Sequence, residues 1–197
     1  MDNQYWQYLT DTLTEKDNLK LCRNEAKSFH KSHIVSDCFD TAMELYASEH
    51  FQIQDVAVFL LGYIAAERAD ALSFLRDTVS LNLSWKVQEV LAMAFGAFCK
   101  ANGYEKSIPT MREWISSDNA NNRRAVTEGL RIWTSRPFFK DYPERAIELI
   151  ASLKDDESEY VRKSVGNSLR DISKKNPDLG GGRVDFIQCV HQRSMDC

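Results

Sequence analysis

Trp85 and Glu89 stand four residues apart, which on a helix puts an indole and a carboxylate on one face. An exposed aromatic face beside a negative charge is what a planar, cationic ligand needs. Counting on by 39 residues brings Arg124 and Glu128 to the same two places, and a second step brings Lys163 and Asn167. These six positions are the candidates for chemistry, because the catalytic motifs usually met are missing. No Gly-rich phosphate loop, paired metal-ligand motif, nucleophile elbow or calcium loop occurs. The four His residues are scattered and the five Cys form no CxxC pair, so neither metal nor cofactor is expected. Taken alone, Trp85 reads more readily as a core residue than as a ligand platform; Trp6, Trp114 and Trp133 read as packing residues.

The elements that must position these side chains read as helices nearly throughout. Phe39, Met43, Leu45 and Tyr46 recur at helical spacing, as do Ile53, Val56, Ala57, Leu60, Leu61 and Ile64, one apolar stripe per helix. Val87, Val90, Leu91, Ala94, Phe95 and Phe98 continue the pattern until Asn102-Gly103 stops it. Pro109 and Pro143 fit first turns, where a missing N–H costs nothing, and Asn176-Pro177 closes the last clear helix. Strand-like alternation is scarce.

The 39-residue step sets the architecture. Arg123-Arg124-Ala125-Val126 aligns with Arg162-Lys163-Ser164-Val165, Leu130 with Leu169, Arg131 with Arg170, and Asp118 with Glu157. One step back, Val87 and Leu91 align with Val126 and Leu130. A helical period near 40 residues predicts an all-α solenoid of stacked antiparallel helix pairs, HEAT- or armadillo-like, whose second helices line a concave face. The reading is of one repeat domain over 1–178, followed by an atypical Gly-rich linker and tail over 179–197.

Charge sharpens the picture of that face. The chain of 197 residues carries 25 Lys+Arg against 29 Asp+Glu, net −4. Residues 1–83 hold a balance of −6 and residues 84–197 one of +2. Asn121 to Arg136 and Ser158 to Lys175 are each +3, and the repeat makes them neighbours on the concave face. Their cations serve either as a binding surface or as an inter-repeat ladder, for instance Arg123 with Glu159. No apolar run is long enough to span a bilayer and the first residues lack a signal-peptide layout, so a cytoplasmic protein with reduced thiols and no membrane partner is expected.

Two segments carry a resemblance. Trp114-Ile-Ser-Ser-Asp-Asn-Ala-Asn-Asn-Arg-Arg-Ala-Val126 and Val161-Arg-Lys-Ser-Val-Gly-Asn-Ser-Leu-Arg-Asp-Ile-Ser-Lys-Lys-Asn-Pro177 resemble the HEAT-like-repeat alkylpurine DNA glycosylases, the AlkD-type DNA alkylation repair family. The likeness covers roughly residues 30–178. It implies a solenoid that wraps double-stranded DNA and hydrolyses the glycosidic bond of cationic methylated purines with an Asp, two Trp and an Arg. It further implies no base flipping into a pocket, unlike other glycosylases.

Position by position, Trp85 falls on the family's first aromatic and Arg124 on its phosphate-contacting Arg. Arg123, Arg131, Lys163 and Arg170 join Arg124 as expected backbone contacts. Glu89 stands where the family has its catalytic Asp, one methylene longer, and a shift near 1 Å can cost ~10²-fold. Asn167 stands where it has a second Trp, losing a cation–π contact of about 0.5–2 kcal/mol. The lead before Trp85 reads as about one helix shorter than in active members. Gly180-Gly181-Gly182 and the tail after it depart from the family, so Phe186 and Ile187 are expected to patch an uncapped last repeat that would otherwise self-associate. Three functions follow: an alkylpurine glycosylase binding DNA weakly for its family, a catalytically inactive paralogue that binds DNA or DNA structures, and a protein–protein scaffold.

Overall fold

A computed structural model describes residues 3–177. Among these residues there are eleven α-helices and three 3₁₀ turns and no strand, as the periodicity predicts. The Gly-rich linker and the expected patch by Phe186 and Ile187 lie outside the described residues. The chain divides into two compact units, the first ending at Ala101 and the second beginning at Asn102.

The first unit contains α1 (Asn3–Leu13), α2 (Leu19–Ser32), α3 (Val35–Tyr46), α4 (Phe51–Ile64), α5 (Ala69–Asp77) and α6 (Trp85–Asn102). Its centre is α4, which α1, α2, α3 and α5 surround. The sequence reads α4 as having one apolar stripe, yet every residue of it but Phe51, Gln54 and Tyr63 is buried. Helices on several sides explain the difference, since a helix enclosed by others needs no polar face. Each large aliphatic side chain so buried contributes about 1.5–3 kcal/mol.

Gly62 of α4 lies so close to α6 that a Cβ there would come within 2.6 Å of the Ala94 backbone. Glycine permits that contact, and it seats α6 against α4. The helix ends where the Asn-Gly signal predicts, with Gly103 at φ 92°.

The second unit contains α7 (Ile108–Ile115), α8 (Ala120–Gly129), α9 (Pro137–Asp141), α10 (Pro143–Ile150) and α11 (Glu159–Lys175). Prolines occupy the first turns of α7, α9 and α10. The starts of α8 and α11 keep the 39-residue register, and the two helices pack side by side. Small polar residues let them approach: Ser164 Oγ donates to Thr127 Oγ1 at 2.6 Å, with both residues buried.

One departure matters for the site. The repeat register carries α8 through Leu130 and Arg131, but the helix stops at Gly129 with Leu130 as its cap. Ile132 then takes a left-handed φ of 55°, which costs a β-branched residue about 1–2 kcal/mol. The turn that follows buries Trp133, whose ring meets Phe139 edge-on at 4.8 Å, and that burial holds the strained residue in place. Trp114 and Trp133 are core residues, as read from sequence, and Trp6 is half-buried.

Candidate functional site

Trp85 opens α6, and the turn before it decides where it points. Asn82 Oδ1 accepts the backbone N–H of Ser84 at 2.8 Å. Asn82 Nδ2 donates to Tyr46 Oη on α3 and to Gln54 Oε1 on α4, both at 3.1 Å. Gln88, buried one turn into α6, sets its Nε2 2.8 Å from the Asn82 carbonyl and 3.0 Å from that of Val79. Such bonds are worth about 1 kcal/mol each, and together they lock the first turn of α6 to α3 and α4. With Val87, Val90, Leu91 and Ala94 turned into the core, Trp85 turns outward and is 66% exposed. Glu89, half-buried, sits one turn along the same helix.

A cation already stands at the indole. Lys86 Nζ lies 4.4 Å from the Trp85 ring centroid and 5.8 Å from that of Phe51, and it is ion-paired with Asp17. Beneath it Asp55, one turn on from Phe51 along α4, is only 2% exposed, and its Oδ1 has no hydrogen-bond partner. Burial and then the charge of Asp17 push the Asp55 pKa up to about 7, while Lys86 pulls it back. The neighbouring Cys22 thiol is pushed up to about 12, by burial first and Asp55 second, which leaves it inert. Cys22, Cys38 and Cys99 are all buried.

In the second unit the basic residues have divided tasks. Arg123, expected on DNA phosphates, is instead a buried latch, 7% exposed. Its Nε and Nη2 donate to the two oxygens of Asp156 at 2.6 and 2.8 Å. Its Nη1 donates to the Ser117 and Asp118 carbonyls at 2.8 and 3.0 Å. A guanidinium fork so occupied has no donor left for a ligand. The inter-repeat ladder is therefore real, but its partners are Asp156 and Glu157 rather than Glu159. Burial, the largest influence on Asp156, works to raise its pKa. The bonds from Arg123 and the Ser158 N–H together outweigh that and hold it below the usual range.

Arg162, one repeat on from Arg123, braces its own turn in the same way, donating to the Asp156 and Glu157 carbonyls at 2.6 and 3.0 Å. Arg136 donates to the Gly129 carbonyl at 3.3 Å. Part of each +3 stretch is thus spent inside the fold.

The others face outward to different degrees. Arg124 is half-buried, with Glu128 one turn further along α8. Arg131 lies beyond the end of α8, 3.7 Å from Glu128 and 4.0 Å from Asp171. Lys163 is exposed and paired with Glu159 one turn before it. Arg170 donates to Asn167 Oδ1 at 3.2 Å, so the residue at the second aromatic position is an amide tied to a guanidinium. The packing of α8 on α11 brings Arg124, Glu128, Lys163, Asn167 and Arg170 onto neighbouring helices of one unit, with Arg131 just past the end of α8. Trp85 and Glu89 belong to the other unit.

Sequence reasoning passed over Lys86 and Asp55. Asp55 left a signal, a carboxylate directly before the apolar run Val56-Ala-Val-Phe-Leu-Leu61. Lys86 left none, because its place on Trp85 depends on a bent stem and a partner 69 residues away. Among the described residues no cluster of His, Cys, Asp or Glu could hold a metal ion, and no helix is long and apolar enough to cross a membrane.

Comparison with known proteins identifies the family and the fold. A family model described as DNA alkylation repair enzyme matches residues 17–194. The solved structure of AlkD2 from Streptococcus mutans is 44% identical at a TM-score of 0.91, covering 97% of this chain and 96% of that one. A structure titled smu.31 from Streptococcus mutans UA159 is 45% identical at 0.87, covering 95% and 96%. The uncharacterized protein YhaZ of Bacillus subtilis (strain 168) is 42% identical over 79 residues, or 38% of this chain. That stretch is 22% of YhaZ, so the match spans about a fifth of that relative's length.

Proposed function

We propose that this chain, which belongs to the DNA alkylation repair enzyme family, binds duplex DNA and acts at the glycosidic bond of cationic alkylated purines. The observation that carries this reading is Trp85, 66% exposed at the head of α6 with the Glu89 carboxylate one turn along. The indole offers a stacking face to a flat base. Glu89 offers a carboxylate where positive charge develops on the sugar as the bond breaks, and where an attacking water would need orienting. Arg124, Lys163, Arg131 and Arg170 hold phosphates in this reading, and Arg123 supports them from within.

A release assay on duplex DNA carrying N7-methylated guanine tests the chemistry. Wild type should free the base, and Glu89→Gln should slow release by 10²-fold or more. Equal release by the two proteins removes Glu89 from the mechanism.

A second reading is favoured by Asn167, an amide held by Arg170 at the second aromatic position. The protein then binds DNA, or an unusual DNA structure, without cutting the glycosidic bond. Salt-dependent binding of duplex or branched DNA with no base release selects that reading. Absence of DNA binding at low salt selects a protein scaffold.

A further inference from the structure

Lys86 follows Trp85 directly, and adjacent residues on a helix point about 100° apart. The Lys86 stem nevertheless bends back until its ammonium lies 4.4 Å from the indole centroid. Two features hold it there. Asp17, in the link between α1 and α2, pairs with the ammonium, and the Phe51 ring of α4 lies 5.8 Å away. The arrangement fixes one cation among two aromatic faces and a carboxylate, a setting that a small organic cation would otherwise fill. Trp85 keeps 66% of its surface exposed, so covering one face with Lys86 leaves indole surface open.

We infer that Lys86 sets the charge selectivity of Trp85. Its ammonium takes the cation position on the ring, so a positively charged base binds only by exchanging with Lys86 or by stacking beside a like charge. A neutral base stacks on the open surface with neither cost. Asp17 is the positioning residue that keeps the ammonium in place. This inference rests on reading Trp85 as a base platform. It implies that a neutral flat base is bound at least as well as a cationic one, so that preference for cationic purines in the proposed reaction comes from the lability of their glycosidic bond and not from stacking on Trp85.

Free nucleosides test it, because they lack the phosphates that Lys86 would also attract. Binding of guanosine and of 7-methylguanosine at pH 6, where the methylated ring is cationic, is measured by calorimetry on the full chain. The proteins compared are wild type, Lys86→Met, Lys86→Arg and Trp85→Ala; both positions lie outside the core, so the fold is retained. Wild type should bind guanosine at least as tightly as 7-methylguanosine. Lys86→Met should tighten 7-methylguanosine by about threefold to tenfold and move guanosine by less than about twofold. Lys86→Arg should keep the wild-type ratio, and Trp85→Ala should lose both ligands. An unchanged ratio in Lys86→Met, with binding that still requires Trp85, overturns the selectivity role and leaves the platform standing. Binding indifferent to Trp85→Ala, or no nucleoside binding by any of the four proteins, overturns the platform itself and this inference with it.

Discussion

Asp55 and Asp156 are both carboxylates taken out of water, one in each unit, and they finish at opposite ends of the carboxylate range. Asp156 meets a fork of guanidinium donors from Arg123 and a backbone N–H from Ser158, and it stays ionised. Asp55 is buried on α4 with one oxygen unbonded, and its pKa rises to about 7. The second unit uses buried charge as a fastener between successive repeats. The first unit buries charge without fastening anything, next to the lysine that covers Trp85. Desolvation acts on both groups; the difference lies in what else reaches the oxygens.

The largest effect should come from cutting the fastener. Asp156→Ala leaves the buried Arg123 only its long contact to the exposed Glu157 and should cost about 3–5 kcal/mol in urea unfolding. The paired change Arg123→Met with Asp156→Leu should recover most of that loss; if it does not, the ion pair itself stabilises the fold. Asp55 gives the opposite test. A carboxyl whose native pKa is raised binds its proton in the folded state before the unfolded one does. Its contribution to stability therefore falls as pH climbs from about 4 to about 7. Asp55→Asn should raise stability at pH 8 by about 2–4 kcal/mol and change little at pH 4. A thermal melt series in which the two proteins differ equally at both pH values would remove Asp55 as the titrating group.

Two smaller effects sharpen the contrast. Arg162→Ala releases two turn carbonyls without stranding a charge, and should cost about 1–2 kcal/mol in the same urea assay. Lys163→Gln should change stability by less than about 0.5 kcal/mol, since its pair with Glu159 is exposed. In duplex DNA binding it should lower the slope of log K against log salt by about 0.9, the signature of one lost phosphate contact. An unchanged slope takes Lys163 out of the interface.

The candidate site was only partly legible in the chain. Helix periodicity and the 39-residue step located α6, α8 and α11, because apolar spacing depends on neighbours within one helix. The step also paired Arg123 with Arg162, and the two do brace equivalent turns. Which way each guanidinium turns was not legible, for Arg123 reaches Asp156 across 33 positions. Arg131 shows the same limit. Repeat register places it inside a helix, whereas the burial of Trp133 ends α8 two residues sooner.

By itself the sequence determined an all-α repeat, its helix ends at Gly103, Pro109 and Pro143, and Trp85 and Glu89 on one helix. These are local matters, decided by φ preferences, capping and the 3.6-residue turn. Tertiary structure alone decided that Trp85 faces solvent, that Lys86 lies on it, that Asp55 is stranded and that Arg123 is spent on Asp156. Each of those outcomes depends on which groups meet after distant segments close together, and a side chain's solvation and partners do not exist until they do.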